Sequence, residues 1–321
     1  MSAKVILKSL VLTIIVLVIL AVIPFGTANK IHYIERISGE SKIEKVYGES
    51  WLVWLYNNPV GELSTYAFVK RKFLSDWYGS QMDLPSSKDK IPDFVENYNI
   101  DLSICQKKDF NSFNDFFYRK LKKSARIIDT NLLSVVSPAD GKVLAYSDIS
   151  NQDFIVKGYR FDVDSYFNNK ELSNRYRNAS LMIIRLCPTD YHRYHFPISG
   201  KILNEELIEG NYYSVSPIAL KKKIELLTLN KRAYTEIETK NFGRVIMSEV
   251  AATMVGSMIN TYDDGDVEKG EEKGYFKFGG STVILFFEKG EITIDKDLLK
   301  NTSEGLETEI KMGERIAVGK L

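Results

Sequence analysis

Apolar residues follow two patterns along the chain. The second pattern replaces the first before the midpoint of the chain. In the first part, large side chains recur at helical spacing, as at Phe113, Phe116 and Phe117. In the second part, short apolar runs rich in β-branched residues alternate with turn residues, which is typical of strands. The patterns predict an α+β fold, with a helical region at residues 31–128 followed by a β-rich domain of sandwich or barrel type at residues 129–321.

The helical region also carries signals of a helix end and of a membrane surface. Ser112 precedes the apolar stripe and predicts a helix N-cap. Further upstream, Trp51, Leu52 and Leu55 fall on one stripe, and basic residues follow in "VKRKF". Aromatic and basic amphipathic helices of this kind can lie among lipid headgroups, so we interpret the region as membrane-associating. Ordinary core packing is the alternative for the same stripe.

The N-terminus shows a third pattern. The run from Ser9 to Phe25 carries no charged side chain and is about as long as the shortest segments that span a bilayer. Lys4 and Lys8 precede it, an arrangement that membrane anchors share with signal peptides. Because the run is long for a signal peptide, we predict that residues 1–30 form a retained membrane anchor. A cleaved signal peptide is the alternative.

Composition argues against two classes of protein. The 43 basic and 42 acidic side chains give a net charge of +1, so the chain lacks the broad basic field with which proteins hold nucleic acids. The two cysteines, Cys105 and Cys187, have no spacing typical of zinc ligands or of a disulfide framework. We therefore predict no nucleic-acid partner, no metal and a reducing compartment.

Three short segments combine reactive side chains with residues that bend the backbone. "SPADG" places Asp140 in a turn, "DYHRYH" carries His192 and His195, and "FGGST" carries Ser281. A serine becomes a nucleophile when a histidine takes its proton, and a carboxylate commonly orients that histidine. The segments therefore predict a catalytic triad of Asp140, one of the two histidines and Ser281.

Such a triad supports two chemistries, and the surroundings of Ser281 favour one. In many hydrolases the serine lies on a tight turn between a strand and a helix, but here the strand-like run "TVILFF" follows. Gly279 and Gly280 let the backbone bend so that the hydroxyl can reach the Gly280 carbonyl. We therefore favour self-processing. The alternatives are a membrane-anchored serine hydrolase using Asp140, His195 and Ser281, and a β-rich lipid-binding module.

Five segments resemble, in sequence and in order, the phosphatidylserine decarboxylase family of pyruvoyl-dependent lipid enzymes. They read "YGSQMDLPSSKDKIPDFVENYNIDL", "FNSFNDFFYRKLKKSAR", "SPADGKVLAYS", "IIRLCPTDYHRYHFPISG" and "KGYFKFGGSTVILFF". The likeness extends over residues 31–321. Each short motif alone is weak, but "SPADG", "DYHRYH" and "FGGST" at these separations are specific.

This resemblance implies a proenzyme that cuts itself between Gly280 and Ser281. It implies that Asp140 orients His195 and that His195 takes the proton of Ser281. The serine oxygen then attacks the Gly280 carbonyl, and Ser281 ends as a pyruvoyl group, which is the covalent cofactor. The β-rich domain is therefore expected to be the catalytic domain.

The resemblance also implies the products and the reaction that follows. The β chain comprises residues 1–280, and the α chain comprises residues 281–321 with the pyruvoyl group at its start. That group forms a Schiff base with phosphatidylserine, which loses carbon dioxide and becomes phosphatidylethanolamine. His192 is implied as the proton donor or carboxylate contact, with Tyr275 and Phe278 as neighbours of the substrate pocket.

Location and assembly are further expectations from the same resemblance. Two αβ units are expected to form a homodimer. The substrate lies in a membrane, so the protein is expected at the cell membrane, either anchored or peripheral, on its cytoplasmic face.

Overall fold

The computed structural model describes most of the chain. The described residues are 5–6, 8–9, 11–13, 15, 29–150, 161–220, 225–253, 257–263 and 265–320. Within these ranges no helix is both long enough and apolar enough to cross a bilayer. Most of the apolar N-terminal run lies outside the described residues, so the membrane anchor at residues 1–30 stays a prediction.

Five α-helices lie in the predicted helical region of the described chain. They are α1 (Glu49–Asn57), α2 (Pro59–Ser64), α3 (Lys72–Asp83), α4 (Ile91–Tyr98) and α5 (Phe113–Phe117), with a π-helical turn at Thr65–Val69 and 3₁₀ turns at Pro85–Lys90, Leu102–Ile104 and Lys123–Ala125. The side chain of Ser112 accepts a hydrogen bond from the backbone N–H of Asp115 at the start of α5. This bond confirms the predicted N-cap.

Later helices are short and lie between strands of the β-rich domain. They are α6 (Val163–Phe167), α7 (Lys170–Tyr176), α8 (Pro217–Leu220), α9 (Leu226–Leu229) and α10 (Lys296–Ser303). The strands are β1 (His32–Glu35), β2 (Ser41–Ile43), β3 (Ser134–Val136), β4 (Gly141–Tyr146), β5 (Ser180–Leu186), β6 (Arg193–His195), β7 (Gly200–Ile208), β8 (Arg232–Glu238), β9 (Arg244–Val250), β10 (Met258–Asn260), β11 (Asp266–Val267), β12 (Glu272–Phe276), β13 (Ser281–Phe287), β14 (Ile292–Ile294), β15 (Glu307–Ile310) and β16 (Arg315–Gly319).

One large sheet and two small ones organise these strands. The large sheet has ten strands in the order β11-β7-β8-β9-β13-β5-β4-β15-β1-β2, and the small sheets have the orders β10-β12-β6 and β14-β16-β3. Apolar side chains on one face of the large sheet pack against α6 and α7, and those on the other face pack against the small sheets. The mixed helical and β-rich architecture predicted from the sequence is confirmed.

Strand β13 lies in the middle of the large sheet and is entirely buried. It pairs with β5 from Ser281, which lies opposite Leu186, to Phe287, and it pairs with β9 on its other side. The predicted cleavage site is therefore the point at which the chain enters the central strand.

The N-terminal end of the region predicted to be helical is not helical. Strands β1 and β2 fall within residues 31–128, and β1 pairs in parallel with β15 near the C-terminus. This segment therefore belongs to the large sheet. The pairing is with a strand distant in sequence, so no local pattern predicts it.

Candidate active site

The segment from Lys277 to Gly280 links β12 to β13 and carries the predicted cleavage site. Gly279 has a φ of 138°, a conformation that residues with a side chain rarely adopt. Ser281 is fully buried, and its Oγ has no hydrogen-bond partner among the described residues. A buried hydroxyl without a partner loses hydration and gains nothing in return, so such groups concentrate at functional sites.

His192 lies against this segment. Its Nδ1 is 2.9 Å from the carbonyl oxygen of Asp190, which can only accept, so Nδ1 carries the proton. Its Nε2 is buried and has no hydrogen-bond partner in the described structure. Burial lowers the pKa of His192 to about 3, although the Asp190 carboxylate and the backbone of Gly279 act in the opposite direction. The ring is therefore neutral at physiological pH and presents a bare Nε2.

A helix of the N-terminal region supports this imidazole. The ring of Phe117, the last residue of α5, stacks on the His192 ring with their centroids 3.8 Å apart. Arg119 follows α5 and reaches the carbonyl oxygens of Thr189 and Asp190 with Nη2, at 3.3 and 3.4 Å. The helical region and the β-rich domain therefore build the site jointly.

His195 faces a different part of the molecule. Its Nδ1 is 3.0 Å from the carbonyl oxygen of Gly270, and its Nε2 is 3.2 Å from the Tyr191 hydroxyl. Since the carbonyl requires a proton on Nδ1, Nε2 accepts from Tyr191. Burial lowers the pKa of His195, while the carboxylates of Glu272 and Asp140 raise it. The ring is thus oriented as a base, with Tyr191 on its basic nitrogen.

The predicted contact from Asp140 to His195 is not made. Arg126 donates to both carboxylate oxygens of Asp140, with Nε 2.7 Å from Oδ1, and the backbone N–H of Met312 donates to Oδ1 at 2.9 Å. No hydrogen bond joins Asp140 to His195 within the described residues. The physical reason is that a guanidinium forms two charge-assisted bonds with a carboxylate, which a neutral imidazole cannot match. Asp140 acts on His195 through its charge instead.

A cavity of about 670 Å³ ends at the cleavage segment. Gly279 and Gly280 line it, together with Phe278. Much of its apolar and aromatic lining comes from α1, the segment before it, α3 and α4, and includes Val46, Tyr47, Trp51, Leu52, Leu55, Tyr78 and Tyr98. Trp51 is 53% exposed and marks the side open to the surface. The arrangement offers a largely apolar cavity that reaches Gly280, the residue before Ser281.

Charged groups that the sequence did not single out form part of the cavity wall. Arg185 donates from Nη1 and Nη2 to the two oxygens of Glu44, at 3.1 and 2.6 Å, and it also donates to both oxygens of Glu307. Burial alone would raise the pKa of Glu44, but Arg185 and Lys142 lower it to about 2. The one available signal was an arginine inside the apolar strand "SLMIIRL", since a charge in a buried strand needs a partner.

A buried thiol lies beside this cluster. The Sγ of Cys187 is 3.0 Å from Nη1 of Arg185 and 3.2 Å from Nζ of Lys142. Burial raises the pKa of Cys187 to about 12, although both cations act to lower it. The thiol is therefore protonated at neutral pH and is a poor nucleophile. Ser281 therefore remains the predicted nucleophile.

The two predicted pocket neighbours have different positions. Phe278 lines the cavity and makes an edge-to-face contact with Phe117, with centroids 5.0 Å apart. Tyr275 is not part of the cavity lining; it stacks on Tyr118 at 4.5 Å, and the Arg193 guanidinium lies 4.9 Å from its ring centre. Tyr275 therefore has a packing role in this structure, because its ring is already covered.

Comparison with known proteins identifies the family of the chain. Residues 113–318 match the family model described as phosphatidylserine decarboxylase. A protein of Fusobacterium nucleatum named phosphatidylserine decarboxylase proenzyme is 52% identical over 291 residues, which cover 89% of this chain and 97% of that protein. Proteins of the same name from Clostridium botulinum, strain Kyoto, and Desulfitobacterium hafniense, strain Y51, are 47% and 45% identical, and each alignment covers 98% of the relative and 89% or 90% of this chain. The chain therefore belongs to the phosphatidylserine decarboxylase family.

Proposed function

We propose that this decarboxylase is made as a proenzyme, cuts itself between Gly280 and Ser281, and converts phosphatidylserine to phosphatidylethanolamine with a pyruvoyl group derived from Ser281. One observation carries the proposal beyond family membership. The cavity ends at Gly279 and Gly280, directly before a serine whose Oγ is buried and has no partner among the described residues. A substrate in this cavity would lie against the residue that becomes the cofactor.

The cleavage chemistry needs no group from outside the chain except water. A base takes the proton of Ser281 Oγ, the oxygen bonds to the Gly280 carbonyl carbon, and the carbon–nitrogen bond breaks with protonation of the nitrogen. This leaves an ester in place of the amide. Loss of the Ser281 Cα proton then breaks the Cβ–Oγ bond and releases the Gly280 carboxylate. Water replaces the nitrogen, ammonia leaves, and a ketone remains on residue 281.

We assign the base for cleavage to His195 and the proton-handling role in decarboxylation to His192. Two carboxylates, Asp140 and Glu272, favour the charged form that His195 takes when it accepts a proton. The assignment requires His195 to come within reach of Ser281 Oγ, which has no partner in the described structure, and the Tyr191 hydroxyl to leave Nε2 of His195. His192 instead has a bare Nε2 beside the cleavage segment, where the carboxylate of a bound substrate would be lost.

The surroundings of residue 281 fit a small ketone. A pyruvoyl group supplies a carbonyl that condenses with the substrate amine and then accepts the electron pair released with carbon dioxide. Ser281 begins a buried strand held on both sides, so the new end of the α chain stays in place. Leu186 and Val215 are buried and line the cavity with Gly279 and Gly280, so the wall beside these glycines is partly apolar.

We also propose that the helical region docks the enzyme on the lipid surface. Large apolar side chains on α1 to α3 and the π-helical turn are exposed, among them Trp51, Leu63, Tyr66, Phe68, Phe73 and Trp77. Trp51 belongs both to this exposed patch and to the cavity wall, so the cavity opens where the patch would meet lipid. Both cysteines are free, as in a reducing compartment, which supports the cytoplasmic face. The homodimer stays a prediction.

The proposal is tested with purified protein and vesicles that contain phosphatidylserine. The account predicts that cut protein forms phosphatidylethanolamine and carbon dioxide, and that a Ser281→Ala chain forms neither. Release of fatty acid without carbon dioxide would instead indicate the serine hydrolase.

A further inference from the structure

Asn114 joins the helical region to the chain just before the cleavage site. It is fully buried in α5. Its Nδ2 donates to the carbonyl oxygen of Gly79 at 3.2 Å and to Oδ1 of Asp83 at 3.0 Å, and both acceptors belong to α3. Its Oδ1 accepts from the backbone N–H of Phe278 at 2.8 Å. One carboxamide therefore ties α3 to a residue that lies two positions before Gly280.

A second contact acts in parallel. Nζ of Lys277 is 3.0 Å from Oδ2 of Asp83, whose other oxygen accepts from Asn114. The Phe278 ring packs edge to face against Phe113, with centroids 5.0 Å apart. Lys277 is thus held to α3 by an ion pair, and Phe278 is held to α5 by a backbone hydrogen bond and an aromatic contact. The chain before the cleavage site is therefore tied to the helical region at Lys277 and at Phe278.

The scissile bond lies between two fixed points. On one side Asn114 holds Phe278, and on the other the β5 ladder holds Ser281 opposite Leu186. Gly279 and Gly280 span the gap, with Gly279 at a φ of 138°. The direction of the Gly280 carbonyl relative to the serine oxygen therefore depends on where Phe278 is held. Attack on a preceding carbonyl is sensitive to this geometry, since small displacements of reacting groups slow a reaction strongly.

We propose that Asn114 is a positioning residue for self-cleavage, which aims the Gly280 carbonyl at Ser281 by fixing the backbone of Phe278. The inference rests on the proposed self-processing and extends it to a residue outside the reacting groups. Helix α5 also carries Phe117, on which His192 stacks. The same helix thus places the cleavage segment and the imidazole beside it.

The test follows the rate of cleavage of newly made protein, together with decarboxylation per cut chain. Asn114→Ala should cut between about 10 and 100 times more slowly than wild type, because the Phe278 N–H loses its acceptor. Decarboxylation per cut chain should fall much less than the cleavage rate, because Asn114 makes no hydrogen bond to residue 281 or His192 and reaches the cavity only through Phe278. A general structural defect would lower both rates to a similar extent.

Ser87→Ala is the matched control. The buried Oγ of Ser87 accepts from the backbone N–H of Phe113, the residue before Asn114, at 2.8 Å, and none of its hydrogen bonds reaches the cleavage segment in the described structure. The Ser87→Ala substitution removes a buried hydrogen bond to the same helix, and this variant should cut at the wild-type rate.

An exchange of partners keeps the inference testable if Asn114→Ala fails to fold. Asn114→Asp combined with Asp83→Asn keeps an acceptor for Phe278 and a hydrogen bond between the two side chains, with donor and acceptor reversed, but it loses the charge opposite Lys277 and the donor to the Gly79 carbonyl. This double variant should therefore cut within about 10-fold of the wild-type rate. Cleavage of Asn114→Ala at the wild-type rate, or a double variant that folds but cuts about 100 times more slowly than wild type, would overturn the positioning role. An uncut wild-type chain would overturn the proposed function itself.

Discussion

Arg126 holds Asp140 with two charge-assisted hydrogen bonds, and this pair replaces the contact to His195 that the sequence predicted. The Asp140 side chain is 3% exposed. Arg126 is therefore the cation that compensates this buried carboxylate, and no hydrogen bond joins Asp140 to His195 within the described residues.

Removal of Arg126 should destabilise the fold through Asp140. Arg126→Met leaves a buried carboxylate without its cation, which should lower the free energy of unfolding by about 3 kcal/mol. Urea unfolding in a Ser281→Ala background measures this on an uncut chain. Arg126→Lys keeps the charge but loses the paired hydrogen bonds. Its free energy of unfolding should therefore lie between those of Arg126→Met and the Ser281→Ala parent. Equal stability of Arg126→Met and its parent would contradict the account.

The two histidines should separate cleavage from decarboxylation. His195→Ala should remain uncut, because the proposed base for Ser281 is missing. His192→Ala should be cut but should lose decarboxylation, because the bare nitrogen beside the cleavage segment is gone. Gel electrophoresis reports the first step and release of carbon dioxide the second. If His195→Ala is cut normally and His192→Ala is not, the two roles are reversed.

Acid should destabilise the fold partly through His192. Its folded pKa of about 3 lies below the ordinary value of 6.5, so in this window the unfolded chain binds a proton that the folded chain does not. Stability should therefore fall as the pH drops below 6.5. Urea midpoints at several pH values, in the Ser281→Ala background, should decline less steeply for His192→Gln. His195 contributes a slope of the same sign and remains in both proteins. An unchanged slope would show that His192 titrates normally.

Charge on the exposed aromatic patch should weaken membrane binding. Phe73 and Trp77 are 62% and 58% exposed on α3, so Phe73→Glu combined with Trp77→Glu should reduce binding to phosphatidylserine vesicles without loss of fold. Leu132→Glu is the control, because Leu132 is 78% exposed but precedes β3, outside the helical region. Vesicle sedimentation measures the difference. Equal binding of the patch variant and the control would locate the lipid contact elsewhere.

Local signals predicted much of this structure, and distant contacts account for what they missed. The cap at Ser112 and the apolar run of β13 are properties of neighbouring residues, so α5 and the central strand could be predicted. The pairing of β1 with β15 joins segments from opposite ends of the chain, and periodicity carries no information on such pairs.

In the site, too, local motifs could be predicted and contacts between distant segments could not. Asp140, His192, His195 and Ser281 stand in short motifs and were identified from them. Arg126 was not predicted as the partner of Asp140, because it is one of many basic residues and no local sequence signal distinguishes it. Arg185 and Glu44 likewise meet only when β5 and the segment after β2 come together in the fold.

The masses of the chains in purified, denatured protein show whether the protein cuts itself before Ser281. The account predicts two chains, of which the smaller comprises residues 281–321, carries no free amine at its start and is lighter than the unmodified peptide by one molecule of ammonia. The Ser281→Ala chain should remain whole. A wild-type protein recovered as one intact chain, or a small chain that begins with an ordinary serine, would contradict it.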